Sequence, residues 1–465
     1  MTSGNPRAAG TGIVHFGPGA FHRAHQADYV DRLLAEDPRW GIAAVSLRTP
    51  GTIEALARQG GAYTLAVLDA ETSFRTVRAH VRFFGPGAAA AVRHQLGSPE
   101  VAIVSSTVTE KGYCLAGDGT LDFAHPDIAH DLSAPHEPVS IIGWLALGLA
   151  DRRQAGLPPF TPLCCDNMVS NGKKLRAAVL AYAQRLDRDL ANWIAGEARF
   201  PDTMVDSITP AADDRLRALV RESTGFDDGI PVSREAYSAW IIEDVLPAAA
   251  PDLASVGAVL AADVGAWERA KLRILNGAHS SIAYLGLLLG HETVADAMDD
   301  PDLSGFIERL IEEDIVPSLE PSPLDLRAYA GEILQRFRNP AIHHRLAQIA
   351  WDGSQKLPYR LLDTVLDAIG AGRPLERLAG PIAAWMLFID RQTRAGADIV
   401  DPLADRLRGA AQGSDLIREL LALRQIFPLA LAERPGFVGA LRSAVETIRS
   451  QGPRFWLQQK EACLA

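Results

Sequence analysis

The stretch AKLRILNGAHSS (270–281) carries Lys271, Asn276 and His279 on an otherwise apolar background. These are the groups that oxidation of a secondary alcohol requires. As hydride leaves the carbon, the hydroxyl proton needs a base, and the oxygen needs donors while its charge grows. A lysine serves as that base when burial lowers its pKa towards ~7–8. An asparagine amide is a suitable donor to a developing oxyanion, and a histidine can orient a neighbouring hydroxyl. No metal is needed. Two other routes to this reaction lack their residues. None of the eight tyrosines is followed by lysine four positions on, and the cysteines and histidines suggest no catalytic zinc site. A buried polar network that only fixes helix packing is the alternative use of the same spacing.

The elements that must position these groups can be read from periodicity. WERAKLRILNGAHSSIAYLGLLL (267–289) has helical period throughout. On an α-helix, Asn276 lies about 140° and His279 about 80° from Lys271, so the three share one face. Gly277 interrupts the helix at a cost of ~1 kcal/mol relative to alanine; close approach of another backbone or a ligand would explain it. PLERLAGPIAAWMLFIDRQ (374–392) is also helical, as is nearly everything after the Pro/Ala-rich VLPAAAPDLAS (245–255). The first half alternates instead. GIVHF (12–16), WGIAAVSL (40–47), VAIVSSTVT (101–109) and PFTPLCCDN (159–167) read as buried strands. ADYVDRLLAED (27–37) and PVSIIGWLALGLADRRQAG (138–156) read as helices, the second with a glycine stop. FRTVRAHVRFF (74–84) alternates like an exposed antiparallel strand. Strands separated by helices imply a parallel sheet. The expected organisation is an α/β domain over 1–255 and a mostly α-helical domain over 256–465.

HFGPGAFHRAH (15–25) follows the first strand directly. Gly17 and Gly19 fit the first two glycines of a dinucleotide fingerprint, which permit a tight turn and close approach of a pyrophosphate to a helix N-terminus. His22 stands at the third position, and Arg23 would add a cation near the phosphates. The fingerprint also predicts an acid after the second strand, to hold the ribose 2′-hydroxyl. SLRTPG (46–51) has none and carries Arg48, which leaves room for a 2′-phosphate, so NAD and NADP both remain open.

At 465 residues, with 48% hydrophobic and 22% charged residues, the chain has the composition of an ordinary globular protein of two or three domains. Its net charge of −11 argues against nucleic acid or an anionic membrane as the main partner. No apolar run reaches the ~18 residues of a membrane span, and the opening MTSGNPRAAGTG lacks the apolar core of a signal peptide. Cys114, Cys164, Cys165 and Cys463 show no CxxC spacing. The expectation is a reduced, cytoplasmic enzyme without zinc.

Six segments in order, GPGAFHRAHQADY (17–29), SSTVTEKGYC (105–114), CDNMVSNG (165–172), FPDTMVDSITP (200–210), KLRILNGAH (271–279) and DGSQKLPYRLLD (352–363), resemble the polyol-specific long-chain dehydrogenase/reductases. That family includes mannitol 2-dehydrogenase, D-arabinitol dehydrogenase and fructuronate reductase (D-mannonate oxidoreductase), and the resemblance covers nearly the whole chain. It implies a Rossmann-type N-terminal domain, a mostly helical C-terminal domain and an active site in the cleft between them. It implies that Lys271 is the base in oxidation and the acid in reduction, and that Asn276 with Asn167 forms the oxyanion hole. His279 would orient substrate hydroxyls, and Glu268 would help move protons to solvent. Asp206 and Lys356 match substrate-binding positions, with Arg360 beside them. Phe21, Thr109 and Glu110 join Gly17, Gly19, Arg23 and Arg48 as cofactor contacts.

The reaction implied is metal-independent and uses NAD, with NADP also open. It joins the secondary alcohol of a hexitol such as D-mannitol, or of an aldonate such as D-mannonate, to its 2-ketose. The working form would be a monomer or small homo-oligomer. Three side residues have plain alternatives: Glu268 as a solvated helix charge, Asp206 as a turn cap and Lys356 as a surface lysine. Three positions depart from the family pattern. Gln348 replaces an arginine that mannitol dehydrogenases carry, Ser207 replaces another, and the NAD-selecting acid is absent. Gln348 points towards the fructuronate reductase branch, whose carboxylate substrate needs a cation; Lys356, Arg360 and Arg345 are candidates. A non-catalytic nucleotide sensor would have dispensed with Lys271 or Asn276. A phosphopolyol dehydrogenase would want a further basic clamp, which the sequence does not offer.

Overall fold

The computed structural model describes residues 9–462. Cys463 and most of the opening segment on which the absence of a leader was read lie outside the described residues. The chain divides into two compact units, Met1–Gly265 and Ala266–Ala465.

The strands of the first unit are β1 (Ile13–Phe16), β2 (Ile42–Val45), β3 (Tyr63–Leu68), β4 (Ser73–Val77), β5 (His80–Phe84), β6 (Ile103–Ser106), β7 (Thr161–Cys164), β8 (Thr203–Asp206), β9 (Val232–Glu235), β10 (Ala239–Glu243) and β11 (Val259–Ala261). A five-stranded sheet runs β5-β2-β1-β6-β7, and every pairing in it is parallel. Strands β1, β2, β6 and β7 are buried along their whole length, as a sheet covered on both faces requires, which is why they read as unbroken apolar runs. The chain order reverses between β1 and β6. This is the Rossmann-type sheet with its switch point, where ligands bind beyond the carboxyl ends of the strands. On one side lies the helix Ile141–Gln154, which starts where the Ser140 hydroxyl accepts from the Gly143 N–H.

The run 74–84 is not one antiparallel strand. It is two strands in two sheets: β4 pairs antiparallel with β3, while β5 enters the parallel sheet beside β2. Arg78 and Ala79 make the crossing. The Arg78 N–H donates to Asp31 Oδ1 at 2.7 Å, and the Ala79 carbonyl accepts from Ile42 N–H at 2.8 Å. Two smaller sheets, β11-β10-β8 and β4-β3-β9, complete this unit.

The second unit is helical, as expected, and among its described residues only an isolated bridge, Thr293 to Arg345, pairs extended backbone. Its centre is the helix Asn276–Leu289, buried from Gly277 through Gly286, with Glu376–Arg394 packed against it. The expected single helix over 267–289 is broken: Val264–Ala270 and Asn276–Leu289 are α-helical, and Lys271–Leu275 between them is a π-helix. Among the described residues no helix is long and apolar enough to cross a membrane.

Candidate active site

The π-turn sets the geometry of the lysine–asparagine–histidine motif. The Asn276 N–H donates to the Lys271 carbonyl, an i→i+5 bond. Asn276 therefore stands to Lys271 as residue i+4 does in an α-helix, about one turn on, and the wide separation expected from α geometry does not apply. Such turns are rare and concentrate at functional sites. Two more occur in this unit, at Leu310–Ile315 and Pro358–Leu362. The last carries Arg360 and lies directly on Gly277, where an added Cβ would sit 2.7 Å from the Arg360 carbonyl oxygen. The glycine is thus explained by a second backbone. The Arg360 guanidinium donates to Ser280 Oγ at 3.1 Å and the Asn276 carbonyl at 3.5 Å, and its Nε is buried without a partner. The half-buried Asn276 side-chain amide makes no hydrogen bond among the described residues and is available as a donor.

His279 is 6% exposed, against the Phe337 ring at 4.5 Å and edge-on to His344 at 5.1 Å. Desolvation holds its pKa well below the usual imidazole value, and nearby His344, Arg360, Arg336 and Lys356 add to the effect. The ring is neutral at ordinary pH, and its Nε2 is buried with no partner. A buried polar atom left this way costs stability, and a bound hydroxyl would complete it. Lys356 is no surface lysine: it reaches the Ile349 carbonyl at 3.3 Å, and burial, with Arg360 second, lowers its pKa to about 8. Of the three candidate cations for a carboxylate, Lys356 and Arg360 are, with Arg336, among the charges that act on His279, whereas Arg345 is exposed, as is Gln348. Lys271 and Glu268, three residues apart, are each 8% exposed, so Glu268 is not a solvated helix charge.

In the first unit, Gly17 has φ +88° and abuts the Thr107 carbonyl, leaving no room for a Cβ. Gly19 differs. It is exposed, and a Cβ there would meet only the Gly17 carbonyl, at 3.9 Å. The open space in front of Gly19 fits a pyrophosphate. His22, at the third fingerprint position, is buried. It stacks on His15 at 3.4 Å and shares a 3.0 Å Nε2–Nε2 hydrogen bond with His80. Burial lowers His15 and His80 to about 3 and His22 well below its ordinary value, so the trio is neutral. Arg23 requires a correction. Its guanidinium is buried and donates to the Pro18 and Ile230 carbonyls, so it props the glycine turn from inside rather than facing phosphates. Phe21 is half-buried and stacks on His25 at 5.0 Å.

Thr109, at φ +68°, and Glu110 lie on the exposed loop after β6. Asp166 anchors that loop, accepting from the Val108 and Thr109 N–H groups at 2.9 and 3.1 Å and from the Tyr113 hydroxyl at 2.7 Å. Burial raises its pKa. Its neighbour Asn167 is exposed, whereas Asn171 is a buried brace whose amide donates to the Cys164, Asp166 and Thr203 carbonyls. Gly17, Arg48, Thr109 and Asn167 therefore follow the carboxyl ends of β1, β2, β6 and β7, the ligand edge of such a sheet. Asp206 ends β8, 4% exposed and opposite Ala239. Arg48 is exposed, ion-paired with Asp127, and lines a cavity of about 640 Å³.

The sequence reading missed Asp166, although a carboxylate beside Asn167 at a strand end was a usable signal. It also missed Asp127, for which nothing in the sequence marks a partner 79 residues away. Where no metal site was expected, Cys114, His125 and Asp127 bring a thiol, an imidazole and a carboxylate within 4.8 Å. Asp127 is engaged with Arg48, and His125 Nδ1 accepts from the Asp127 N–H.

The mannitol dehydrogenase Rossmann domain model matches residues 11–255, and the mannitol dehydrogenase C-terminal domain model matches 263–449. D-Mannonate oxidoreductase of Escherichia coli is 41% identical over 458 residues, which cover 95% of this chain and 94% of that one. Among solved structures, Pseudomonas fluorescens mannitol 2-dehydrogenase in ternary complex with NAD and D-mannitol is 34% identical. It superposes with a TM-score of 0.84 over 97% of this chain and 94% of that one. A substrate-free D-sorbitol dehydrogenase gives 0.90 at 30% identity, over 97% and 96%. With both domains matched in order along nearly its whole length, the chain belongs to the mannitol dehydrogenase family.

Proposed function

We propose that this chain is an NAD-dependent, metal-independent dehydrogenase that interconverts a sugar acid and its keto form, of the D-mannonate/D-fructuronate type. The observation that carries this reading is that Lys356 and Arg360 act on the buried, neutral His279, with the Arg360 guanidinium tied to Ser280 and to the Asn276 carbonyl of the same helix. Two cations fit a substrate carboxylate. The 41% identical relative is named for D-mannonate.

Bound NAD supplies the hydride acceptor, and the open space at Gly19 with the cavity beside Arg48 fits such a dinucleotide. The chain's own residues do the rest. Lys271 takes the hydroxyl proton in oxidation and returns it in reduction, and Glu268 passes that proton on. The Asn276 amide donates to the oxygen as it becomes carbonyl. Neutral His279 holds an adjacent hydroxyl through Nε2, and Lys356 and Arg360 hold the carboxylate. The enzyme acts as a monomer or small homo-oligomer; the free buried thiols of Cys114, Cys164 and Cys165 fit a reducing compartment such as the cytoplasm.

A panel of polyols and sugar acids, each with NAD and with NADP, tests this by the absorbance of the reduced nicotinamide. D-Fructuronate should be reduced with a higher kcat/KM than D-fructose. Faster turnover of fructose at equal concentration would favour the second reading, a D-mannitol/D-fructose enzyme like the Pseudomonas neighbour, whose complex holds D-mannitol. Turnover of no polyol or sugar acid would leave a nucleotide-binding protein without this chemistry.

A further inference from the structure

Resting on the cofactor reading above, we propose that Asp127 supplies the carboxylate that selects NAD over NADP. Dinucleotide-binding domains ordinarily place that acid at the end of the second strand, where it accepts from the ribose 2′-hydroxyl. Here the position after β2 holds Arg48, a residue that alone would attract a 2′-phosphate. The structure does not leave Arg48 alone. Its guanidinium donates to Asp127 Oδ2, and both side chains line the cavity of about 640 Å³ beyond the ends of β2 and β5, with residues 46–47, 85–90 and Trp144.

Of the pair, the carboxylate is the fixed member. Asp127 lies in the first turn of the helix Pro126–Ser133, behind a proline at the first helical position. Its N–H donates to His125 Nδ1 at 3.2 Å. A helix N-terminus also favours a carboxylate there. The Asp127 side chain is 23% exposed, whereas that of Arg48 is 72% exposed and reaches it from a loop. With Oδ2 engaged by Arg48, Oδ1 is the oxygen left to accept a 2′-hydroxyl. A 2′-phosphate would bring a charge of about −1.5 to −2 beside the same carboxylate and would have to take Arg48 away from it. The acid missing after β2 is thus delivered from a distant part of the same domain. Glu137 lines the cavity too, but it is exposed, and no ion pair joins it to Arg48 among the described residues.

The test is binding of NADH and NADPH to the full chain, read by nicotinamide fluorescence, in wild type, Asp127→Asn, Arg48→Ala, the double variant and Glu137→Gln. Wild type should bind NADH more tightly. Asp127→Asn should tighten NADPH by about tenfold or more, the order expected for one unit charge near a protein surface, and should weaken NADH. Adding Arg48→Ala should remove that gain, because the freed arginine is what captures the phosphate. Arg48→Ala alone should shift the ratio further towards NADH. An unchanged ratio in folded Asp127→Asn, a wild type that prefers NADPH, a ratio that moves with Glu137→Gln instead, or an Arg48→Ala ratio shifted towards NADPH would each overturn the proposal while leaving the cofactor reading intact. Binding of neither dinucleotide by wild type would overturn both.

Discussion

Gly277→Ala is the substitution whose consequences the structure fixes most closely. The new Cβ would lie 2.7 Å from the Arg360 carbonyl oxygen and 3.7 Å from Leu361 Cδ2. Ordinary contact begins near 3.4 Å, so the Pro358–Leu362 backbone must retreat by ~0.7 Å. Overpacking of this kind costs ~1–3 kcal/mol. Replacing glycine within a helix returns ~1 kcal/mol. The net destabilisation is therefore ~0–2 kcal/mol, small for a protein of this size. Function should suffer more. The displaced residue is Arg360, whose guanidinium is tied to Ser280 and to the Asn276 carbonyl. Misplacing a positioned group by ~1 Å can cost ~10²-fold. The assay pairs the urea midpoint with kcat/KM for the best substrate of the panel and the dissociation constant for NADH. The expected result is a slightly lower midpoint, kcat/KM down ~10–10²-fold and NADH binding near wild type. A variant as stable and as active as wild type would show that Arg360 is not held in place through Gly277, and the explanation of the glycine would fail.

Lys356, with its pKa lowered from 10.5 to about 8, should make KM for a sugar acid flat below pH 8 and rising above it, while KM for a neutral polyol stays level; parallel profiles would remove Lys356 from the carboxylate site. The stability sign follows from the same depression. The unfolded chain binds the extra proton between about pH 8 and 10.5, so this residue's burial penalty, full below 8, is relieved as pH rises through that window. Gly19→Val should raise the NADH dissociation constant at least ~10-fold with the fold intact, because the side chain enters open space that the pyrophosphate would use; unchanged affinity would disprove the placement. Asn276→Ala should lower kcat by ~10²–10³, as for a lost oxyanion donor, without moving the pH profile; a shifted profile at full kcat would assign it another task.

Much of this arrangement was legible because burial leaves a mark on sequence. Strands β1, β2, β6 and β7 are covered on both faces and appear as unbroken apolar runs. The turn at Gly17 needs a positive φ, and the glycine declared it. The π-turn at Lys271–Leu275 left no such mark. It widens the backbone bonding without disturbing the apolar period on either side, so the α-helical angle between Lys271 and Asn276 does not hold. The strand 74–84 failed for a related reason: alternation passes unbroken through Arg78–Ala79, and periodicity says nothing about which sheet a strand joins. Arg23 beside a phosphate turn invites a phosphate role, but a long side chain can as easily fold inward onto Pro18 and Ile230 carbonyls. Arg48 and Asp127 meet only in three dimensions. Glu268, Asp206 and Lys356 each had a plainer alternative, and only the burial of Glu268, invisible in the sequence, argues against a solvated charge.

The central claim is that Lys271 moves the alcohol proton. It is tested most directly by Lys271→Ala in steady-state kinetics across pH, in both directions, with small primary amines added. Wild-type oxidation should rise with pH and level off, while reduction falls over the same range. The variant should lose ~10²–10⁴ in kcat, bind NADH almost normally, and recover part of its rate with methylamine. A Lys271→Ala enzyme with wild-type turnover and an unchanged pH profile would contradict the account and leave the helix as a packing network.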